Sequence, residues 1–115
     1  MSEKINVLIV GGGRGGKSFV DLFSTSTIVK ILAVIDINMD APGITLAREL
    51  GIPVDDDYRK YVNRPELNEI INVTGSDKIQ EELLANKPAQ VSVIDGYSAK
   101  FIWRFIEEHL KMEES

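Results

Sequence analysis

The sequence predicts an α/β fold, a doubly wound parallel sheet of about five strands in the order 3-2-1-4-5, with helices on both faces in three α/β/α layers. Three observations predict it. Continuous apolar runs of strand length alternate with amphipathic segments of helix length, joined by short connections. The first apolar run ends in a glycine-rich turn, Gly11 to Gly16, that opens the next helical segment. Right-handed crossovers bring the carboxyl ends of the strands to one edge, and four of the five connections there carry glycine or small polar groups: Gly11 to Gly13, Asp36, Thr74-Gly75 and Asp95-Gly96.

Each element follows from local pattern. "INVLIV" (5–10) is a strand covered on both faces. After the glycines, Phe19, Val20 and Phe23 form the apolar stripe of a helix that runs to about Thr25. "IVKILAVID" (28–36) is a second buried strand. "GITLARELG" (43–51) sets Ile44, Ala47 and Leu50 on one helical face, with Gly51 as a stop signal. "IPV" (52–54) is a brief edge strand, and a short helix follows near "DDYRKYV". "NEIINVTGS" (68–76) is a buried strand ending in Thr-Gly-Ser, where Ser76 caps a helix carrying Ile79, Leu83 and Leu84. "VSVID" (91–95) puts Val91 and Val93 on one face and Ile94 on the other. A last helix from about Ser98 is expected to turn Phe101, Ile102, Phe105 and Ile106 inward.

Composition bounds the function. The 115 residues are read as a single domain, 1–115, with 43% hydrophobic and 27% charged residues. With no cysteine, disulfide and thiolate chemistry are excluded, and a reducing, cytoplasmic setting is expected. "MSEKINVLIVGGG" lacks the apolar length and cleavage pattern of a secretory signal, and no segment has the length of a membrane span. A net charge of −5 gives no basic footprint, so neither nucleic acid nor a membrane is expected as a partner. An anionic ligand would need local help from a helix N-terminus and Arg14.

The glycine turn satisfies two phosphate-binding patterns. Gly11, Gly13 and Gly16 fit the dinucleotide fingerprint G-x-G-x-x-G, while Gly11, Gly16, Lys17 and Ser18 fit the nucleoside-triphosphate pattern G-x-x-x-x-G-K-[ST]. In the first reading Gly11 makes the turn, Gly13 (between Gly12 and the Arg14-Gly15 pair) lets a pyrophosphate approach the backbone, and Gly16 lets helix and strand pack closely. That fingerprint also asks for an acidic residue about 20 positions on, at the end of the second strand, to hold a ribose diol. Asp36 stands 20 positions after Gly16. The second reading puts Lys17 on phosphates, Ser18 on magnesium and Asp95 as the distant carboxylate. It leaves Gly13 unexplained and lacks a base-recognition element, so the dinucleotide reading is preferred. A carboxylate at Asp36 disfavours a 2′-phosphate, and no arginine follows it in "DINMDAPG"; NAD is therefore expected over NADP.

"INVLIVGGGRGGKSFVDLF", "ILAVIDIN", "ARELGIPVDDDY" and "EIINVTGS" together resemble the Rossmann-type nucleotide-binding half of NAD(P)-dependent dehydrogenases. The similar groups are the glucose–fructose/inositol oxidoreductases and the homoserine and aspartate dehydrogenases. The chain is also similar to the nucleotide-sensing part of redox-responsive repressors and to Rossmann modules ahead of sensor domains in bacterial signalling proteins. This resemblance implies a dinucleotide-binding module, with Thr74 and Gly75 at the nicotinamide ribose. The oxidoreductases carry a Glu-Lys-Pro motif after the fifth strand whose lysine serves catalysis. Here Ile94-Asp95-Gly96 stands in that place, and Lys87-Pro88 precedes the strand. Neither their substrate domain nor a repressor's DNA-binding domain falls within these residues. The resemblance thus implies binding or sensing and assigns no catalytic residue, with the nucleotide-binding half of an oxidoreductase as the alternative.

Other residues have bland and sharp readings. Arg14 reads either as a pyrophosphate contact or as a solvated arginine. Asp95 to Ser98 read as a pocket lining or as a helix start capped by Ser98. Asp55 to Asp57 are read as a solvated loop, because consecutive carboxylates rarely converge on one ion. His109 is the only histidine and lies at a charged helix end, so no metal site or triad is expected. Trp103 lies off the main apolar face of its helix, which leaves it for core cover or for another domain or subunit, including a homodimer.

Overall fold

Strand β1 (Ile5–Val10) is the centre of the sheet, and its side chains alternate between two cores: Val7 and Ile9 on one face, Leu8 and Val10 on the other. The computed structural model describes residues 4–114, apart from the side chains of residues 110, 113 and 114. The remaining strands are β2 (Val29–Ile35), β3 (Val54–Asp55), β4 (Glu69–Asn72) and β5 (Ser92–Asp95). All pair in parallel in the order β3-β2-β1-β4-β5, as the sequence predicts.

Helices α1 (Arg14–Ser24) and α2 (Pro42–Glu49) cover the Val7/Ile9 face together with the start of α4 (Gly96–Glu114). Helix α3 (Asp77–Asn86) and a 3-10 turn at Tyr58–Lys60 cover the other. The fixed φ of Pro42 suits the first position of α2, and Gly51 follows its last turn. Ser76 caps α3 by accepting from the Ile79 N–H at 3.2 Å.

One irregularity bears on the site. Val7 lies opposite Ile31 but Leu8 lies opposite Ala33, so Leu32 is an extra residue, a β-bulge in β2. Leu32 and Ala33 both join the Leu8/Val10 core, and the alternation resumes with Val34 on the α1/α2 side.

Several expected burials are corrected. Leu50 and Leu84 are exposed, because the packed sides of their short helices are filled by Ile44 with Ala47 and by Leu83. The larger correction concerns α4. It starts at Gly96, directly after the last residue of β5, so the strand end sets its rotation. Ala99 meets the sheet and Trp103 is half-buried, while Phe101, Ile102, Phe105 and Ile106 face outward. Helical period identifies an apolar side; the strand junction decides which side the sheet receives.

Candidate functional site

The chain leaves β1 at Gly11, whose φ of +112° is a conformation side chains rarely adopt. Its N–H donates to the Ile35 carbonyl at 2.7 Å, so the turn is tied to the end of β2. The glycines of the fingerprint divide by environment. A Cβ on Gly16 would lie 1.9 Å from the Gly11 carbonyl oxygen; only glycine lets α1 pack this close to the turn. A Cβ on Gly13 would meet nothing within 4 Å, so the backbone there is open to approach. Gly15 sits beside Val73 with ordinary contact distances. Arg14 begins α1 and is exposed at the same opening. With no side-chain cap at Gly13, the start of α1 presents backbone N–H groups and a positive dipole end.

Asp36 follows β2 on the α1/α2 side because of the bulge. If residues 31 to 36 alternated regularly, with Leu32 taking the place opposite Leu8 and no bulge, Ala33 and every later side chain, Asp36 among them, would lie on the other face. Its Oδ2 accepts from the Gly12 N–H at 2.7 Å and its Oδ1 from the Asn38 N–H at 2.9 Å. Each oxygen keeps a lone pair for a further donor such as a hydroxyl. The nearby Arg48 donates to the Met39 carbonyl at 3.0 Å, bracing the loop after Asp36.

Two contributors escape a motif search. Gly43 donates its N–H to the Gly12 carbonyl at 2.6 Å, and a Cβ on Gly43 would stand 2.8 Å from that oxygen. The start of α2 therefore rests directly on the glycine turn. Asn72, buried at the end of β4, accepts from the Thr74 N–H at 3.1 Å and the Thr74 hydroxyl at 2.6 Å, and donates to Gln80 at 2.8 Å. It fixes the Thr74-Gly75 loop, where Gly75 takes a φ of +73°. The signal for Asn72 is a polar residue within the apolar run "EIINV".

A cavity of about 690 Å³ opens between α1 and α4. Arg14, Gly15, Asn72, Gly75, Asp95 and Tyr97 line it together with Phe19, Lys100, Trp103 and Arg104. Gly11, Gly13 and Asp36 are outside it. The predicted residues thus fall into two groups: Gly11, Gly13, Gly16 and Asp36 about the first turn, and Arg14, Gly15 and Gly75 in the cavity lining, with Thr74 beside Gly75 but outside that lining. Trp103 faces this cavity rather than outer solvent.

Two residues of the triphosphate reading, Ser18 and Asp95, make local hydrogen bonds. The Ser18 hydroxyl donates to the Arg14 carbonyl at 3.0 Å. Asp95 Oδ1 accepts the Ser98 N–H at 2.7 Å, so Asp95, and not Ser98, holds the start of α4. The Ser98 N–H and hydroxyl hold the Asp95 carboxyl below its ordinary value of 3.8. The Asp55–Asp57 run is likewise structural: Asp55 accepts from the Asp56 N–H and contacts Lys60, and Asp57 caps the 3-10 turn. Among the described residues no group of three or more His, Cys, Asp or Glu is placed to hold a metal, and no helix is long and apolar enough to cross a membrane.

The parallel sheet order, the two-sided helical cover and the glycine turn opening α1 define a Rossmann-type α/β fold. Solved structures carry the same fold. One is a myo-inositol dehydrogenase from Corynebacterium glutamicum, 15% identical, matched over 80% of this chain with a TM-score of 0.58. A proposed NADPH-dependent oxidoreductase from Desulfitobacterium hafniense is 14% identical over 83%, with a TM-score of 0.66. An NAD-binding protein from Listeria innocua is 23% identical over 81%, with a TM-score of 0.63. The chain spans 27% of the length of each. No protein-family model and no curated protein matches it.

Proposed function

We propose that the chain is a dinucleotide-binding module that takes a nicotinamide dinucleotide, NAD in preference to NADP. The observation that carries the proposal is the division of labour in the turn. Gly16 is glycine because the Gly11 carbonyl lies where its Cβ would be, whereas Gly13 faces open space and Asp36 accepts from the N–H of Gly12, next to Gly13. A triphosphate loop gives no reason for an open Gly13 or for Asp36 beside it. In this reading Asp36 accepts from the adenosine ribose hydroxyls, and the start of α1 with Gly13, Arg14 and Gly15 receives the pyrophosphate. Thr74 and Gly75 flank the second ribose, and the ring end enters the cavity between α1 and α4. The carboxylate of Asp36 would repel a 2′-phosphate, and Arg48 is engaged with the Met39 carbonyl.

A bound nicotinamide accepts or donates hydride; the residues assigned here bind and orient it, and none is assigned to a chemical step. A sensing role fits a module without the Glu-Lys-Pro lysine. The alternative, a nucleotide-binding half of a longer oxidoreductase, is favoured by one fact: the chain spans 27% of the structures it resembles. Calorimetric titration with NAD, NADH, NADPH and ATP–Mg tests the reading. NAD or NADH is expected to bind more tightly than NADPH. Magnesium-dependent ATP binding without dinucleotide binding would overturn it.

A further inference from the structure

The cavity between α1 and α4 carries charge that the ring end of a dinucleotide does not explain. Lys100, Trp103, Arg104 and Glu107 stand at positions i, i+3, i+4 and i+7 of α4, so one helical face presents them all to the cavity. Arg14, at the start of α1, lines it as well. Among the described residues, Arg14, Lys100 and Arg104 form no ion pair. A nicotinamide ring is neutral in NADH and positive in NAD, so it gives no reason for three cations. Three carboxylates also line the cavity, but two of them stand at helix starts. Asp95 accepts the Ser98 N–H at the start of α4, and Asp77 lies in the first turn of α3, where the helix dipole offsets a negative charge. Glu107 lies farther along α4 than Lys100 and Arg104. A neutral donor adds to the cations: buried Asn72 donates to Gln80 Oε1 at 2.8 Å, which occupies the Gln80 acceptor and leaves its amide N–H groups without a partner. The volume of about 690 Å³ exceeds the roughly 270 Å³ that the nine heavy atoms of a nicotinamide ring and carboxamide take at about 30 Å³ each, so a second small molecule has room.

We propose that this cavity binds a small organic acid with an apolar body, its carboxylate received by Lys100 and Arg104 and its body lying against Trp103 and Phe19. Lys100 and Arg104 are four residues apart on one helical face, close enough for both head groups to reach one carboxylate. Trp103 is half-buried and Phe19 is buried, so they supply the apolar wall beside that charge. The inference rests on the dinucleotide reading in one respect: a bound nicotinamide ring would be the neighbour of the acid, and the positive ring of NAD would strengthen its attraction. The chain as a whole carries a charge of −5, so the acid is held by these local groups and not by the overall field.

Trp103 is the sole tryptophan, so its fluorescence reads the cavity directly. The 115-residue chain is titrated with cyclohexanecarboxylate and with its neutral counterpart cyclohexylmethanol, first without dinucleotide. Saturable binding of the acid is expected with a Kd of about 1 mM, at least about tenfold tighter than the alcohol and weakened by added salt. Lys100→Gln and Arg104→Gln should each weaken the acid about fivefold and leave the alcohol unchanged. Both side chains are exposed, so circular dichroism of the variants should match the parent. A repeat with saturating NAD should show the acid still bound. Equal affinity for acid and alcohol, no saturable signal, or variants that bind the acid as the parent does would overturn the proposal. Displacement of the acid by NAD would overturn it too. A chain that binds the acid but no dinucleotide supports the acid site and refutes the dinucleotide reading, so the two failures are distinct.

Discussion

A methyl group separates the two functions of the glycine turn. Gly16→Ala would drive a Cβ into the Gly11 carbonyl, and is expected to cost about 3 kcal/mol of stability, read as a lower melting temperature. Gly13 has negative φ and open surroundings, so Gly13→Ala should change stability by less than about 0.5 kcal/mol. The same substitution should weaken dinucleotide binding more than about tenfold, because the methyl stands where the pyrophosphate approaches. Equal melting shifts for the two variants would contradict the assignment. Asp36 is the second residue of the pair. Removing a charged acceptor of hydroxyl hydrogen bonds is worth about 1.5–3 kcal/mol, so Asp36→Ala should raise the Kd for NAD about 10- to 100-fold. The placement of Gly11, Gly13, Gly16 and Asp36 about one turn was legible because each answers to a fixed spacing. Gly43 was not, since its role arises from α2 folding back onto the turn; Asn72 is marked only as a polar residue within "EIINV", which does not reveal its bonds to Thr74 and Gln80.

Among the elements, α4 holds the clearest pH dependence. The Ser98 N–H and hydroxyl depress the Asp95 carboxyl below 3.8, so the ionised form is favoured in the folded chain. Its contribution is present above pH 3.8 and is lost as the pH falls through the lower, folded value. The start of α4 should therefore loosen only in that acid range, with a change in the fluorescence of Trp103, the sole tryptophan. Asp95→Asn retains a capping side chain without the titration and should flatten the change. At α3, Ser76→Ala should lower stability by about 1 kcal/mol, measured by urea unfolding. The bulge at Leu32 belongs to this scale as well. "IVKILAVID" reads as a buried strand without revealing the extra residue, yet that residue decides on which face Asp36 emerges. Strand type was legible from composition; the local register was not, because Ile31 to Ile35 are all apolar and no polar residue marks the change of face.

For the molecule as a whole, the sheet order followed from the alternation of elements and the handedness of crossovers, and the structure has that order. The expected inward face of α4 did not survive. A sequence shows that Phe101, Ile102, Phe105 and Ile106 want burial, but the junction with β5 turns them outward. The molecule then combines a cavity along one side of α4 with exposed apolar side chains along its outer side, and Tyr97 belongs to both. The central claim remains the identity of the ligand. Its most direct measurement is a calorimetric titration of the parent chain and Asp36→Ala with NAD, NADH and ATP–Mg. The expected result is dinucleotide binding, independent of magnesium and weakened about tenfold or more by the substitution. Magnesium-dependent ATP binding that ignores Asp36, with no dinucleotide bound, would contradict the account.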